Sequence, residues 1–119
     1  INMNACAAFI LISVLFVATN AGLSFSFGEK LIWVFISTLA AVGNAGVPMG
    51  CYLLTSALLS SMGVPLTMLG LILPAYAILD MLETAINVWS DSCITAIVDK
   101  EIPASDLNLS EGDEVNEMV

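Results

Sequence analysis

Residues 77–98 read AILDMLETAINVWSDSCITAIV, an apolar run interrupted by Asp80, Glu83, Thr84, Asn87 and Asp91. On an α-helix each residue advances about 100°, so relative to Asp80 the other four fall at roughly −60°, +40°, −20° and +20°. Three carboxylates, an amide and a hydroxyl therefore share one narrow stripe, and Trp89 lies on the opposite side. A carboxylate at the centre of a bilayer costs about 2.5–3.5 kcal/mol on insertion scales. Such a stripe must face protein, water or ions, and in an apolar helix it marks a substrate or ion path.

The rest of the chain agrees with a membrane setting. It has 119 residues, is 59% hydrophobic, and carries 2 basic residues against 11 acidic ones, for a net charge of −9. Six of the acids (Glu101, Asp106, Glu111, Asp113, Glu114 and Glu117) lie after Lys100. Without a basic patch there is no footprint for nucleic acid. With no histidine, zinc chemistry of the usual kind is disfavoured. Cys6, Cys51 and Cys93 lie far apart in apolar runs, and for Cys51 and Cys93 the expected role is a small buried side chain. No spacing implies a disulfide framework. The chain opens at Ile1 inside an apolar run, which predicts the C-terminal portion of a longer protein.

Outward from the stripe, residues 66–99 predict one long transmembrane helix, with a kink at Pro74 and Lys100 favourably placed at its negative end. Before it, arms at 31–45 and 51–61 flank 46-GVPMG-50. At 1.5 Å per residue they reach roughly 22 and 16 Å, short of a hydrocarbon core of about 30 Å. Two short arms around a Gly-Pro-Gly break predict a re-entrant helical hairpin over 31–61, whose tip would expose backbone groups at membrane depth. The alternative is a single helix kinked at Pro48. Residues 3–19 form an apolar segment near the lower length limit for a span, and residues 21–30 a loop. Residues 101–119 predict a disordered acidic tail. The fold class is thus all-α membrane protein: a transmembrane helix (1–20), a re-entrant hairpin (31–61), a long transmembrane helix (66–99) and the tail (101–119). A non-catalytic chain is expected, since no nucleophile has a base at hand.

Three local patterns in order, 2-NM-3, 46-GVP-48 and 80-DMLETAINVWSD-91, resemble the C-terminal core of the dicarboxylate/amino acid:cation symporters, the glutamate-transporter family. The resemblance covers residues 1–101 and implies secondary active transport of an amino acid or dicarboxylate coupled to sodium or protons. It implies that Asp80 binds the substrate ammonium, Thr84 sits beside that site, Asn87 contacts the substrate carboxylate, and Val47 at the tip closes over it. One sodium would be held by Asp91 with the backbone carbonyls of Asn2 and Asn87. A second would be held by backbone groups of Ala41, Val42 and Asn44. Hard carboxylate and carbonyl oxygens suit sodium, and an acceptor-only carboxylate suits an ammonium.

The departures carry information about substrate. Acidic-substrate members have Arg where this chain has Glu83, and a carboxylate there would repel a second carboxylate. The run 83-ETA-85 followed by Asn87 instead resembles the sodium/serine-threonine symporter branch, in which a substrate hydroxyl would meet Glu83. Asn4 stands where the family has a carboxylate of a third sodium site. Cys6 replaces a Thr near the substrate side chain, with packing and contact both open to it. Met49 and Cys51 replace small tip residues. The function implied is sodium-coupled symport of a neutral, serine- or threonine-like amino acid by alternating access. Alternatives are a cationic or other polar amino acid, a dicarboxylate, or a truncated membrane remnant that does not transport. Expected partners are the amino acid, sodium and membrane lipid, with a homotrimer for the whole protein. The expected location is the plasma or inner membrane, multi-pass, with the tail in the cytoplasm.

Overall fold

The computed structural model describes residues 3–44 and 47–102. Among them are four helices and no strand: α1 (Asn4–Asn20), α2 (Phe27–Gly43), α3 (Gly50–Ser61) and α4 (Thr67–Glu101). The chain divides into two units, Ile1–Val88 and Trp89–Val119. Asn2 and residues 103–119 of the predicted tail fall outside the described residues, while Glu101, the first residue of that tail, closes α4.

In the first unit α1 is the central element and packs against both α2 and α3. Its buried residues are Cys6, Ile10, Ser13, Val14, Val17 and Ala18. These recur at the three- and four-residue steps of a helix, so one face of α1 is wholly inside. Ala41, Cys51, Leu59, Val64 and Leu69 complete the core. Tyr76 of α4 is buried among rings, with centroids 5.0 Å from Phe9 and 5.4 Å from Tyr52. The Tyr52 hydroxyl donates to the carbonyl of Leu69 at 3.2 Å, which fastens α3 to the start of α4.

Local chemistry explains where the helices stop. After α1, Leu23 N–H bonds to Ala18 O and Gly22 N–H to Thr19 O. After α3, Val64 N–H bonds to Leu59 O and Gly63 N–H to Ser60 O. Both are Schellman ends, and the glycines take φ +95° and +70°, the left-handed geometry the motif requires. α2 begins at Phe27 rather than at 31. A capping box sets that start: Glu29 N–H donates to Ser26 Oγ at 3.3 Å and Ser26 N–H to Glu29 Oε2 at 2.7 Å. The same bonds hold the exposed Glu29 carboxyl below its usual range. Nearby, Trp33 meets Phe25 edge-on, centroids 6.5 Å apart.

α2 and α3 are separate helices rather than one kinked at Pro48. Their 17 and 12 residues correspond to roughly 25 and 18 Å. One helix among the described residues is long and apolar enough to cross a membrane, the 35-residue α4, about 52 Å by its rise. It carries Pro74 inside. The helix exteriors are apolar: Phe27, Phe35, Leu39, Leu71 and Met81 are each more than 70% exposed. In water such surfaces would associate, whereas lipid or further protein suits them.

Two sequence expectations about cysteine are corrected. Cys6 and Cys51 form a disulfide between α1 and α3, with Cα atoms 5.5 Å apart. Their 45-residue separation gave no hint of it, because helix packing and not local spacing brings them together. Cys93 is an exposed free thiol, since α4 buries no residue after Glu83.

Candidate functional site

A cavity of about 370 Å³ lies in the first unit, between the break joining α2 to α3 and the polar stripe of α4. From α4 it is lined by Asp80, Glu83, Thr84 and Asn87; from the break by Asn44 and Val47, and from the start of α3 by Cys51. Four of the five stripe residues read from sequence thus line one cavity; Asp91 is not among them. Asp80 and Asn87 are half-buried, Glu83 is buried and Thr84 exposed. Thr84 spends its hydroxyl on the carbonyl of Asp80, one turn back, at 2.9 Å.

Each carboxylate has its own surroundings. Asp80 Oδ1 accepts from the Tyr76 hydroxyl at 3.3 Å. Tyr76 extends the stripe by one turn, at four residues before Asp80. It was missed because its ring reads as core, and the same spacing that collected Asp80 and Thr84 finds it. Glu83 is 8% exposed, and among the described residues its Oε1 has no hydrogen-bond partner. A buried acceptor in that condition loses its solvation without compensation.

Asn87 reaches the start of α1. Its Oδ1 accepts from Ala5 N–H at 3.1 Å, and its amide lies 3.8 Å from the Met3 sulfur. The first N–H groups of a helix have no partner within it. Ala5 N–H is shared between two acceptors, Asn87 Oδ1 from α4 and Asn4 Oδ1 at 3.0 Å. The N-terminus of α1, the positive end of its dipole, therefore borders the cavity.

The other wall is formed by described residues on either side of 45 and 46. Asn44 N–H bonds to Ala41 O at 3.2 Å, Val47 N–H to Asn44 O at 3.2 Å, and Gly50 N–H to Val47 O at 3.0 Å. Met49 sits at φ +53°, ψ +20°, left-handed and costly for a side-chain-bearing residue. Asn44 is buried with its amide 4.0 Å from Cys6 Sγ. A Cβ on Gly50 would run into that amide, so only glycine fits there. Ala41 is buried and Val42 exposed. Both are in the last turn of α2, whose carbonyls form the negative end of the helix. Of the residues expected to contact substrate, Cys6 is fully buried and bonded to Cys51, which lines the cavity. Of the set Asn2, Asn87 and Asp91, the described first unit contains Asn87 alone. Asn2 lies outside the described residues, and Asp91 belongs to the second unit, where its side chain is exposed.

α4 is long and apolar enough to cross a membrane, and its charged stripe faces the break between two shorter helices. The model of the sodium:dicarboxylate symporter family matches residues 1–101, and the chain belongs to that family. It is similar to excitatory amino acid transporter 3 of Mus musculus, 33% identical over 100 residues, 84% of this chain and 19% of the relative. The excitatory amino acid transporter of Onchocerca volvulus is 32% identical over 98 residues, 82% of this chain and 20% of that protein. The proton/glutamate-aspartate symporter of Escherichia coli K12 is 30% identical over 99 residues, 83% and 23%. The chain spans about a fifth of the length of these curated relatives. No solved structure gives a significant match.

Proposed function

We propose that this chain supplies part of the substrate and sodium site of a sodium-coupled symporter for a neutral, hydroxylated amino acid such as serine or threonine. The observation that carries the reading is that the cavity presents two carboxylates, Asp80 and Glu83, and no cation. Lys30 and Lys100 are the chain's basic residues, and neither lines the cavity. A substrate ammonium satisfies Asp80. A substrate hydroxyl suits the unpartnered Glu83 oxygen, whereas a second substrate carboxylate would be repelled across a site of low dielectric. Asn87 and the positive end of α1 favour the substrate's α-carboxylate.

The last-turn carbonyls around Ala41, Val42 and Asn44 are the sodium ligands of this reading. They offer hard oxygens at the negative end of a helix, and sodium itself is cargo here. The shortness of α2 and α3 supports a re-entrant hairpin with Val47 at its tip, closing over substrate in an alternating-access cycle. In the whole protein this reading carries a homotrimer in a plasma or inner membrane, with residues beyond Lys100 on the cytoplasmic side.

The relatives' names speak of excitatory amino acids and of glutamate and aspartate, so the test must separate substrates. Cells expressing the gene product that carries this chain should accumulate labelled serine only when an inward sodium gradient is imposed. Unlabelled threonine should compete. Competition by aspartate or lysine in place of threonine would overturn the neutral-substrate reading, and uptake indifferent to sodium would overturn the coupling.

A further inference from the structure

The Cys6 and Cys51 sulfurs and a Glu83 carboxylate oxygen lie within 4.8 Å of one another, and all three residues are buried. They come from three elements: Cys6 from the first turns of α1, Cys51 from the start of α3, and Glu83 from the stripe of α4. Two soft sulfurs and one hard oxygen converging on a point is a donor set of the zinc type. Glu83 adds an independent indication. It is more than nine-tenths buried, it has a carboxylate oxygen without a hydrogen-bond partner among the described residues, and it lies beside the sulfurs.

We propose that, when the Cys6–Cys51 bridge is reduced, Cys6, Cys51 and Glu83 form a binding site for a thiophilic divalent cation such as Zn²⁺ or Cd²⁺. Reduction breaks the S–S bond. With a phosphine as reductant, each sulfur gains one electron and one proton, and the phosphine is oxidised to its oxide with oxygen from water. The cation then displaces both thiol protons to solvent and takes two thiolates and one carboxylate oxygen. Tetrahedral zinc holds its sulfurs about 2.3 Å and its oxygen about 2.0 Å away. Its ligand atoms therefore stand roughly 3.5–3.8 Å apart, so moderate side-chain movement from the bridged state suffices. A fourth position stays open to water.

The bridge links α1 to α3. The cation would link both of them to α4 as well, beside the cavity. Oxidation and metal binding are therefore mutually exclusive ways of tying the α2–α3 break to α1. The site does not depend on the transport reading, because the test reads the metal.

The test uses the full chain in detergent micelles carrying Cys93→Ser, which removes the exposed thiol. The chain is reduced with a phosphine, freed of it by gel filtration, and titrated with Cd²⁺. Expected are one Cd²⁺ per chain, an ultraviolet sulfur-to-cadmium charge-transfer band, and a rise in Tm on binding. The same chain with its bridge intact should show no band. Cys6→Ser and Cys51→Ser should each abolish tight binding. Glu83→Gln should weaken it at least tenfold while still forming the bridge, which alkylation and mass measurement verify. The proposal is overturned if the reduced chain gives no band, if the band persists with the bridge intact, or if Tm does not rise. Affinity unchanged in Glu83→Gln also overturns it.

Discussion

Asp80 and Glu83 are one helical turn apart on α4 yet are satisfied differently, and that difference makes them separable by mutation. Tyr76→Phe removes the hydroxyl that reaches Asp80 and keeps the buried ring. The expected loss is about 1 kcal/mol, the net worth of an ordinary hydrogen bond. Tyr76→Ala should cost about 3–5 kcal/mol, because it also empties the contact among Phe9, Tyr52 and α4. Thermal unfolding in detergent, followed by helicity, checks both. If the two variants lost equal stability, the packing role assigned to the ring would be wrong. Glu83→Arg tests specificity at the same scale. In cells carrying the whole gene product, aspartate should become a competitor of uptake and serine should cease to be one. The stripe was legible in the sequence because three- and four-residue spacing is a property of the helix itself. Tyr76, the Asn87 bond to Ala5 and the bridge of Cys6 to Cys51 were not fully legible. Each depends on which helix packs against which, and no local pattern states that.

At the scale of elements, the ends of the helices are where chemistry is explicit. Ser26 and Glu29 form a reciprocal pair, so the Glu29 carboxyl titrates below its ordinary 4.5. The pair's contribution is therefore complete above the ordinary carboxylate range and is lost as pH falls through the lowered value. An NMR titration of the Glu29 carboxyl carbon should show this, and Ser26→Ala should return the midpoint toward 4.5. The Ser-x-x-Glu signature was present in the sequence. Gly28 and Lys30 beside it pulled the expected start of the helix to 31, four residues late. At the other end of the break, Gly50→Ala should drive a methyl group into the Asn44 amide. The expected cost is about 1–3 kcal/mol, as for other overpacked sites, read as a lower Tm. A Tm equal to that of the parent would show that Asn44 can move aside freely. The GVP pattern announced a break here. Its left-handed Met49 was not announced, because methionine is among the residues least expected at positive φ.

At the largest scale, the first unit is held by a small core under an apolar exterior. The bridge adds to that core from the unfolded side. For a separation of 45 residues, loop-closure entropy predicts about 4 kcal/mol. Reduction of the first unit should accordingly lower its Tm by many degrees, and Cys51→Ser should match the reduced parent. A Tm indifferent to reduction would mean that α1 and α3 hold their places by packing alone. The two tryptophans carry a different consequence, because they fall one to each unit. Trp33 is half-buried against Phe25, and Trp89 is 72% exposed. Each is therefore a separate optical reporter. In Trp33→Phe all remaining indole fluorescence comes from the second unit. Its colour tells whether that indole rests among acyl chains, with blue-shifted emission, or in water, with red-shifted emission.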